Sequence, residues 1–278
     1  MAITAQDVNK LRQMTGAGMM DCKKALQEAD GDFDKAVDIL RKQGQKVAAK
    51  RADNAVSEGT VVVEISADGT NGKLIALACE TEPVSNVEDF KNLAQNILDK
   101  AVADNIADKD ALLSATLSDG RPVSEHIVDL VGKLGEKLEI VSYENVTADK
   151  VVPYIHSNGK LGVLVAFEGV NGTDVSELGK DVAMQIAAMK PIALDKDEVD
   201  SATVEREIEV GKEQARAEGK PEAMLERIAQ GKLQKFYKDN TLLNQEFVKD
   251  SSLTIRQLLE KTAKGLTVKS FKRVAIGA

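Results

Sequence analysis

The chain has 278 residues, of which 29% are charged and only 3% aromatic, with no Trp and a net charge of −8. Such a length allows two or three domains and a sizeable, mostly aliphatic core. The acidic balance argues against broad nucleic-acid binding, which needs clustered Lys and Arg against phosphates. The two cysteines, Cys22 and Cys79, lie far apart and form neither a disulfide framework nor a metal cluster, so a reducing compartment is expected. The start, MAITAQDVNKLRQ, lacks the basic and apolar regions of a secretory signal. No window approaches the ~20 apolar residues that cross a membrane. The expected location is the cytoplasm, with no cofactor, metal or membrane contact.

Residues 1–44 predict three short helices. Thr4 caps the first, with Asp7 completing a variant capping box and Ile3 and Val8 in the staple positions. Gly16 stops this helix. A second runs from Gly18 to Ala29 and ends at Asp30-Gly31. The third starts near Asp32. It places Phe33, Ala36, Val37 and Leu40 on one face, and Gly44 closes it. The basic run RKQGQKVAAKR (41–51) carries five cations and no acid. A solvated helix face or linker is its plain reading, and 45–57 is expected to be a linking segment.

GTVVVEIS (59–66) and KLIALACET (73–81) predict a β-hairpin with Asn71-Gly72 in its turn. CETEPVSN (79–86) follows. Pro83 fixes its own φ and lacks a backbone donor, and Glu82 is pushed from the helical region, so a stiff, acidic, donor-poor loop is expected. Then comes a helix over 86–104, capped by Asn86, with Val87, Phe90, Leu93, Ala94, Ile97 and Ala101 as its apolar face. NGKLIALACE at 71–80 matches NGKLGVLVAF at 158–167, and a second helix, 174–189, follows the second copy. The core therefore predicts a duplicated hairpin-plus-helix unit.

After Lys190-Pro191 comes a charged helix pair, 198–218 and 221–237, turning at Gly219-Lys220-Pro221. Its apolar stripe is thin: Val204, Ile208, Ala215, Met224, Leu225, Ile228 and Phe236. This predicts a protruding antiparallel arm for self-association or partner contact. A helix, 255–263, and a strand, 266–276, complete the second unit. The fold class is α+β.

Enzyme motifs find no support. GTNGKL (69–74) is not a phosphate loop, and GAGMMD (16–21) joins two helices rather than a strand to a helix. His126 in a predicted helix and His156 near a hairpin turn have no neighbouring nucleophile in sequence, so a structural or surface role fits both. Cys22, on an amphipathic helix, suits packing. Glu80 and Glu82 could face a cation, but beside Pro83 they suit an exposed loop.

TGAGMMDCKKALQEADGDFDKAVDILRKQG (15–44) closely resembles the N-terminal signature of the bacterial elongation factor Ts family. The resemblance continues in CETEPV, in YIHSNGKLGVLVAFEG (154–169) and in AMQIAAMKP (183–191), and covers nearly the whole chain in order. It implies a ubiquitin-associated-like three-helix domain (1–51) and a duplicated core (52–145, then 146–198 with 241–278). It also implies a helical hairpin inserted in that core (199–240); a homodimer through this arm is the expectation from its thin apolar stripe. It implies a guanine-nucleotide exchange factor with no bond chemistry of its own. Its partner would be the GTPase elongation factor Tu, in the GDP-bound and nucleotide-free states, with no direct nucleic-acid contact.

The partner-contact positions carried over by the resemblance are Arg12, Met19, Met20 and Lys23, Leu134 and Gly135 in KLGEK, His156, and Val248 of Phe247-Val248. Core packing is the plain alternative for Met20. Where the family usually has Thr-Asp-Phe-Val, whose Asp-Phe pair helps dislodge the partner's Mg²⁺, this chain has Thr81, Glu82, Pro83 and Val84. The acid is kept in a longer form and the aromatic wedge is absent. An extra C-terminal helical module of some members is not expected after Ile276. The competing reading is a ubiquitin-associated-like adaptor that holds a partner without nucleotide exchange.

Overall fold

A computed structural model of the chain describes residues 3–277. It is a mixed α+β structure. Helices α1 (Ala5–Thr15), α2 (Met19–Glu28) and α3 (Phe33–Lys50) come first. Thr4 and Asp7 form the capping box at α1, and Gly16 ends it in the left-handed region at φ 68°. Val8, Leu11, Cys22, Ala25, Leu26, Ala29 and Ala36 make the small core of these helices.

Gly44 does not stop the third helix, and 45–50 is not a linker. α3 runs on to Lys50, and Gly44 lies buried inside it. The reason is packing. α3 lies against α7 (Val123–Leu134), and a Cβ added at Gly132 would sit 2.8 Å from the Gly44 Cα. Two glycines let the helix backbones touch, which offsets the ~1 kcal/mol that Gly costs in a helix interior relative to Ala.

The first sheet has strand order β1 (Glu58–Ile65), β2 (Asn71–Cys79), β3 (Leu138–Thr147), all antiparallel. The second has order β4 (Lys150–Ile155), β5 (Leu161–Glu168), β8 (Thr267–Ala275), also antiparallel. Helices cover one face of each. On the first lie α5 (Glu88–Ala103), α6 (Lys109–Ser114) and α7. On the second lie α8 (Ser176–Met189) and α11 (Ile255–Thr262).

The remaining sheet faces pack on each other through Val61, Leu74, Ala76, Ala78, Val151, Leu164 and Ile276. Along β2, Ile75, Leu77 and Cys79 face the helices, while Leu74, Ala76 and Ala78 face the other sheet. A strand apolar on both faces reads as an unbroken hydrophobic run.

The hairpin turn is not at Asn71-Gly72. It lies at residues 67–70, with Gly69 at φ 76°. Asn71 already belongs to β2, and its Nδ2 donates to Asn145 Oδ1 and Thr147 Oγ1 at 2.9 Å each. Gly72 lies where the sheets meet, and a Cβ there would approach Val151 Cγ1 to 2.7 Å. In the second copy Asn158-Gly159 does form the turn, with Gly159 at φ 69°. The similar decapeptides are thus placed differently in their hairpins, while the strand order repeats.

Between α8 and the end of the chain rises a helical pair, α9 (Ser201–Ala217) and α10 (Glu222–Asn240). Gly211, Ala215, Leu225, Ala229 and Leu233 are its buried contacts. Met224 is exposed rather than in the stripe, and Leu233 takes an inner position. Cross-pairs Lys212–Glu226 at 2.8 Å and Arg216–Glu222 at 2.7 Å line its flanks. The short hairpin β6 (Glu246–Phe247) and β7 (Asp250–Thr254) precedes α11. No helix among the described residues is long and apolar enough to cross a membrane.

Candidate functional site

β2 ends at Cys79, and the next residues form a held turn rather than a loop. Glu82–Ser85 make one helical turn, α4, with Thr81 before it at φ −129°, ψ 153°. Glu82 is its first residue, against the expectation that Pro83 would push it from the helical region. A first turn needs no donor from proline, so Pro83 fits there. Ser85 N–H donates to Thr81 O at 3.3 Å, Asn86 N–H to Glu82 O at 3.2 Å, and Val84 and Ser85 are buried. These gains offset the local bias before proline. Asn86 does not cap α5. It ends α4, its Nδ2 donating to Glu82 O at 3.2 Å, and Val87 holds the cap position of α5. Glu82 and Pro83 stand exposed, with Val84 as the buried foot.

Two carboxylates hold the base of this turn. Glu136 accepts from Thr81 N–H at 3.0 Å and from Thr81 Oγ1–H at 2.6 Å. Glu80 accepts from Lys137 N–H at 2.6 Å, from Asn54 Nδ2 at 2.9 Å, and from one Arg51 nitrogen through both oxygens at 2.9 Å. The Lys137 N–H, followed by Asn54 and Arg51, holds the Glu80 carboxyl below its ordinary range despite desolvation. Cys79 Sγ lies 3.3 Å from Thr81 O, and burial pushes its thiol up to about 12, so it is no nucleophile at neutral pH.

Glu136 and Lys137 belong to KLGEK. Gly135, at φ 76°, ends α7 and turns the chain toward β3, and Leu134 packs at the edge of the first core. The structure thus brings Thr81–Val84 together with Leu134 and Gly135, 50 positions on in sequence. Sequence reading missed Arg51, Asn54, Glu80 and Glu136 as the residues that join them. A Glu in each of two short turns was the visible signal, but its partner was not.

Arg12, Met19, Met20 and Lys23 cluster at the α1–α2 corner. Met20 is 62% exposed, so the core alternative fails. Met19 and Lys23 are one helical turn apart on α2, and Arg12 sits in the last turn of α1. The Lys133 side chain fills the space beside Gly16 at this corner and pairs with Asp89. His156 lies on the exposed β4–β5 turn, with its Nδ1 2.9 Å from Tyr154 Oη. Val248 is 54% exposed, whereas Phe247 beside it is core at 6%. Val248 N–H is held by Gln185 Oε1 at 2.9 Å. Among the described residues no hydrogen bond or ion pair joins His156 or Val248 to the Thr81–Val84 turn.

An open cleft of about 890 Å³ lies between α3, α5 and α7. Asp119, Arg121, His126 and Asp129 line it as a self-paired network: Arg121 meets Asp119 at 2.8 Å and Asp129 at 2.5 Å, and His126 Nε2 lies 3.0 Å from Asp119. Arg121 first, then His126, holds the Asp119 carboxyl well below its ordinary range. This is a satisfied ion-pair cluster without a nucleophile. Among the described residues no group of three or more His, Cys, Asp or Glu could hold a metal ion.

A family model described as Elongation factor TS matches residues 80–278. Elongation factor Ts of Cytophaga hutchinsonii is 66% identical over 99% of this chain and 99% of its own length. Elongation factor Ts of Amoebophilus asiaticus is 56% identical over the whole of both chains, and that of Porphyromonas gingivalis 48% identical, again over both in full. With identities this high over essentially its whole length, the chain belongs to the elongation factor Ts family.

Proposed function

We propose that this chain binds elongation factor Tu in its GDP-bound form, promotes displacement of the bound Mg²⁺, and releases GDP so that GTP can rebind. The observation that carries the reading is the Thr81–Val84 turn: an acid and a proline held outward on a fixed base, at the position where the resemblance puts the Mg²⁺-dislodging element. The physical logic is linkage. A factor that binds the nucleotide-free GTPase more tightly than the nucleotide-bound form must weaken nucleotide binding by the same ratio. Mg²⁺ is a suitable target, because it demands near-octahedral ligands at ~2.0–2.1 Å and tolerates little displacement. Glu82 brings negative charge toward the metal's ligands and the phosphates. Pro83 cannot wedge as a ring would, but it lowers the freedom lost when the turn is inserted.

In this reading the α1–α2 corner, with Arg12, Met19, Met20 and Lys23, docks on the nucleotide domain of the partner. Leu134 and Gly135 contact it beside the turn, and His156 and Val248 engage a second area. The factor makes and breaks no bonds of its own, and it acts in the cytoplasm. The residue blocks 1–51, 52–145, 146–198 with 241–278, and 199–240 then divide docking, exchange, second contact and arm. The test is release of a fluorescent GDP analogue from elongation factor Tu at fixed Mg²⁺. Acceleration by catalytic amounts of the chain is expected. Stable binding without acceleration would favour an adaptor.

A further inference from the structure

The turn that carries Glu82 and Pro83 has no long element behind it. α4 is a single turn, and the Thr81 side chain does not cap it. What fixes its direction is a pair of carboxylates. Glu136 takes both donors of Thr81, the backbone N–H at 3.0 Å and the hydroxyl at 2.6 Å. Such a two-point grip on one residue sets both its position and its χ1. Glu80, with its side chain 16% exposed, ties the preceding residue to three separate pieces of chain. These are the end of α3 through Arg51, the link after it through Asn54, and the KLGEK turn through Lys137 N–H. Lys137 Nζ also donates to Asn54 O at 3.1 Å and closes the ring.

Hydrogen bonds to a charged acceptor are shorter and stronger than neutral ones. Six such bonds, from five donors, converge on the base of a four-residue turn, more than a plain strand-to-helix connection needs. The half-buried Glu80 is also tied, through Arg51, to the C-terminal end of α3, the helix that carries the N-terminal core. α3 in turn touches α7 backbone to backbone at Gly44 and Gly132.

We propose that Glu136 and Glu80 are positioning residues for exchange: together they hold the Thr81–Val84 turn in its inserting direction, with Arg51 tying it to the N-terminal helices. The inference rests on the reading of this turn as the exchange element. A turn held in advance loses less entropy on insertion, so the cost avoided appears in the release step rather than in docking. Neither carboxylate needs to touch the partner.

The experiment measures two quantities for each variant: the maximal rate of GDP release from elongation factor Tu, and the affinity for GDP-bound elongation factor Tu, in which the turn has not yet displaced the metal. Glu136→Ala removes both bonds to Thr81. The maximal rate is expected to fall by about tenfold or more, with affinity changed by less than about threefold. Thr81→Ser keeps both donors and is expected to stay near the parent rate. Thr81→Val keeps the shape, loses the hydroxyl donor and is expected to fall. In a Glu136→Ala background Thr81→Val is expected to add nothing, because its partner is already gone. Arg51→Ala is expected to lower the rate less than Glu136→Ala, with the same split.

Parallel losses of rate and affinity in Glu136→Ala would make Glu136 a contact residue and overturn the proposal. So would a further drop from Thr81→Val in the Glu136→Ala background, or an unchanged rate in Glu136→Ala. The isosteric Thr81 pair keeps the test valid if Glu136→Ala unfolds. Replacing Glu82, Pro83 and Val84 together by Gly separates the two levels. If that variant is slow and Glu136→Ala is not, only the clamp is wrong. If it exchanges at the parent rate, the turn itself is not the exchange element.

Discussion

The two sheets repeat one plan, and their central strands end in opposite ways. β2 and β5 are each buried between helices and the other sheet. Each is flanked by an antiparallel neighbour on both sides and followed by a helix. At the end of β5 the chain turns at Gly169, φ 72°, whose N–H donates to Asp149 at 2.8 Å and which lies flat on the Gly265 backbone. Glu168 there pairs with Lys269 on its own sheet at 2.8 Å. That end is closed and self-satisfied. At the end of β2, Glu80 and Glu136 spend their bonds holding a turn that points Glu82 and Pro83 outward. The same scaffold therefore supplies a plain connection in one half and a held acidic projection in the other. The lesson is that the repeated sheet plan provides the platform, while a few polar residues at one strand end specialise it.

The sharpest way to break the comparison is to erase the projection. Replacing Glu82, Pro83 and Val84 by Gly is expected to slow GDP release by about a hundredfold or more, ~2.7 kcal/mol at the barrier. Docking on GDP-bound elongation factor Tu should suffer less. The matched control in the other half is Val170→Gly, at the plain turn after β5, for which GDP release should stay at the parent rate. Equal effects at both turns would mean that the strand ends are not specialised.

A second test addresses what the projection stands on. Gly132→Val puts a branched side chain against the Gly44 Cα, where even a Cβ would come within 2.8 Å. The helices must part, and overpacking of this kind costs about 1–3 kcal/mol. The chain should melt at lower temperature, with the change followed by circular dichroism. Release should slow as well, because Arg51 at the end of α3 is pulled from Glu80. A lower melting temperature with unchanged release would uncouple the N-terminal helices from the turn.

That contact also shows where sequence reading stops. The capping box at Thr4, the apolar face of α5 and the buried run of β2 were legible because each is a local pattern with a known period. Gly44 misled because its reason lies on another helix: a glycine reads as a stop unless the backbone that touches it is known. Asn71-Gly72 misled for a similar cause. The pair is a strong turn signal, yet Gly72 is used to let the sheets approach. Thr81 and Glu82 were singled out through family resemblance, whereas Glu136 and Arg51 were not, because an ion pair between distant turns leaves no period in the chain. Phe247-Val248 enters as a dipeptide through the resemblance, as a partner contact, and only packing separates the buried ring from the exposed valine.

A smaller effect sharpens the role of the proline. Pro83→Ala leaves the clamp and the acid intact and removes only the fixed φ. Alanine accepts a first helical turn readily, so α4 should persist. The release rate is expected to fall by less than about tenfold, under ~1.4 kcal/mol. A loss as large as that of the triple Gly variant would mean that the ring itself contacts the partner.

The smallest effect on exchange is expected from the arm that only the second half carries. α9 and α10 bury little beyond Gly211, Ala215, Leu225, Ala229 and Leu233, and mostly against each other. Their flanking ion pairs are exposed and of the kind worth only ~0–1 kcal/mol each. The two ends of the arm are already joined at its base, where Ile192 N–H donates to Asn240 O at 2.9 Å and Ala193 bridges Thr241. Replacing residues 200–237 by a short turn therefore leaves the second sheet with its own core of Val163, Val165, Phe167, Ile186 and Leu259. GDP release is expected to stay within about twofold of the parent, well under 1 kcal/mol at the barrier. Any dimer held by the arm should be lost in sedimentation. A loss of helical signal beyond that of the deleted segment would show that the core leans on the arm. A large loss of exchange with the core intact would instead make the arm a second contact with the partner, and the division between a projecting first half and a supporting second half would have to be redrawn.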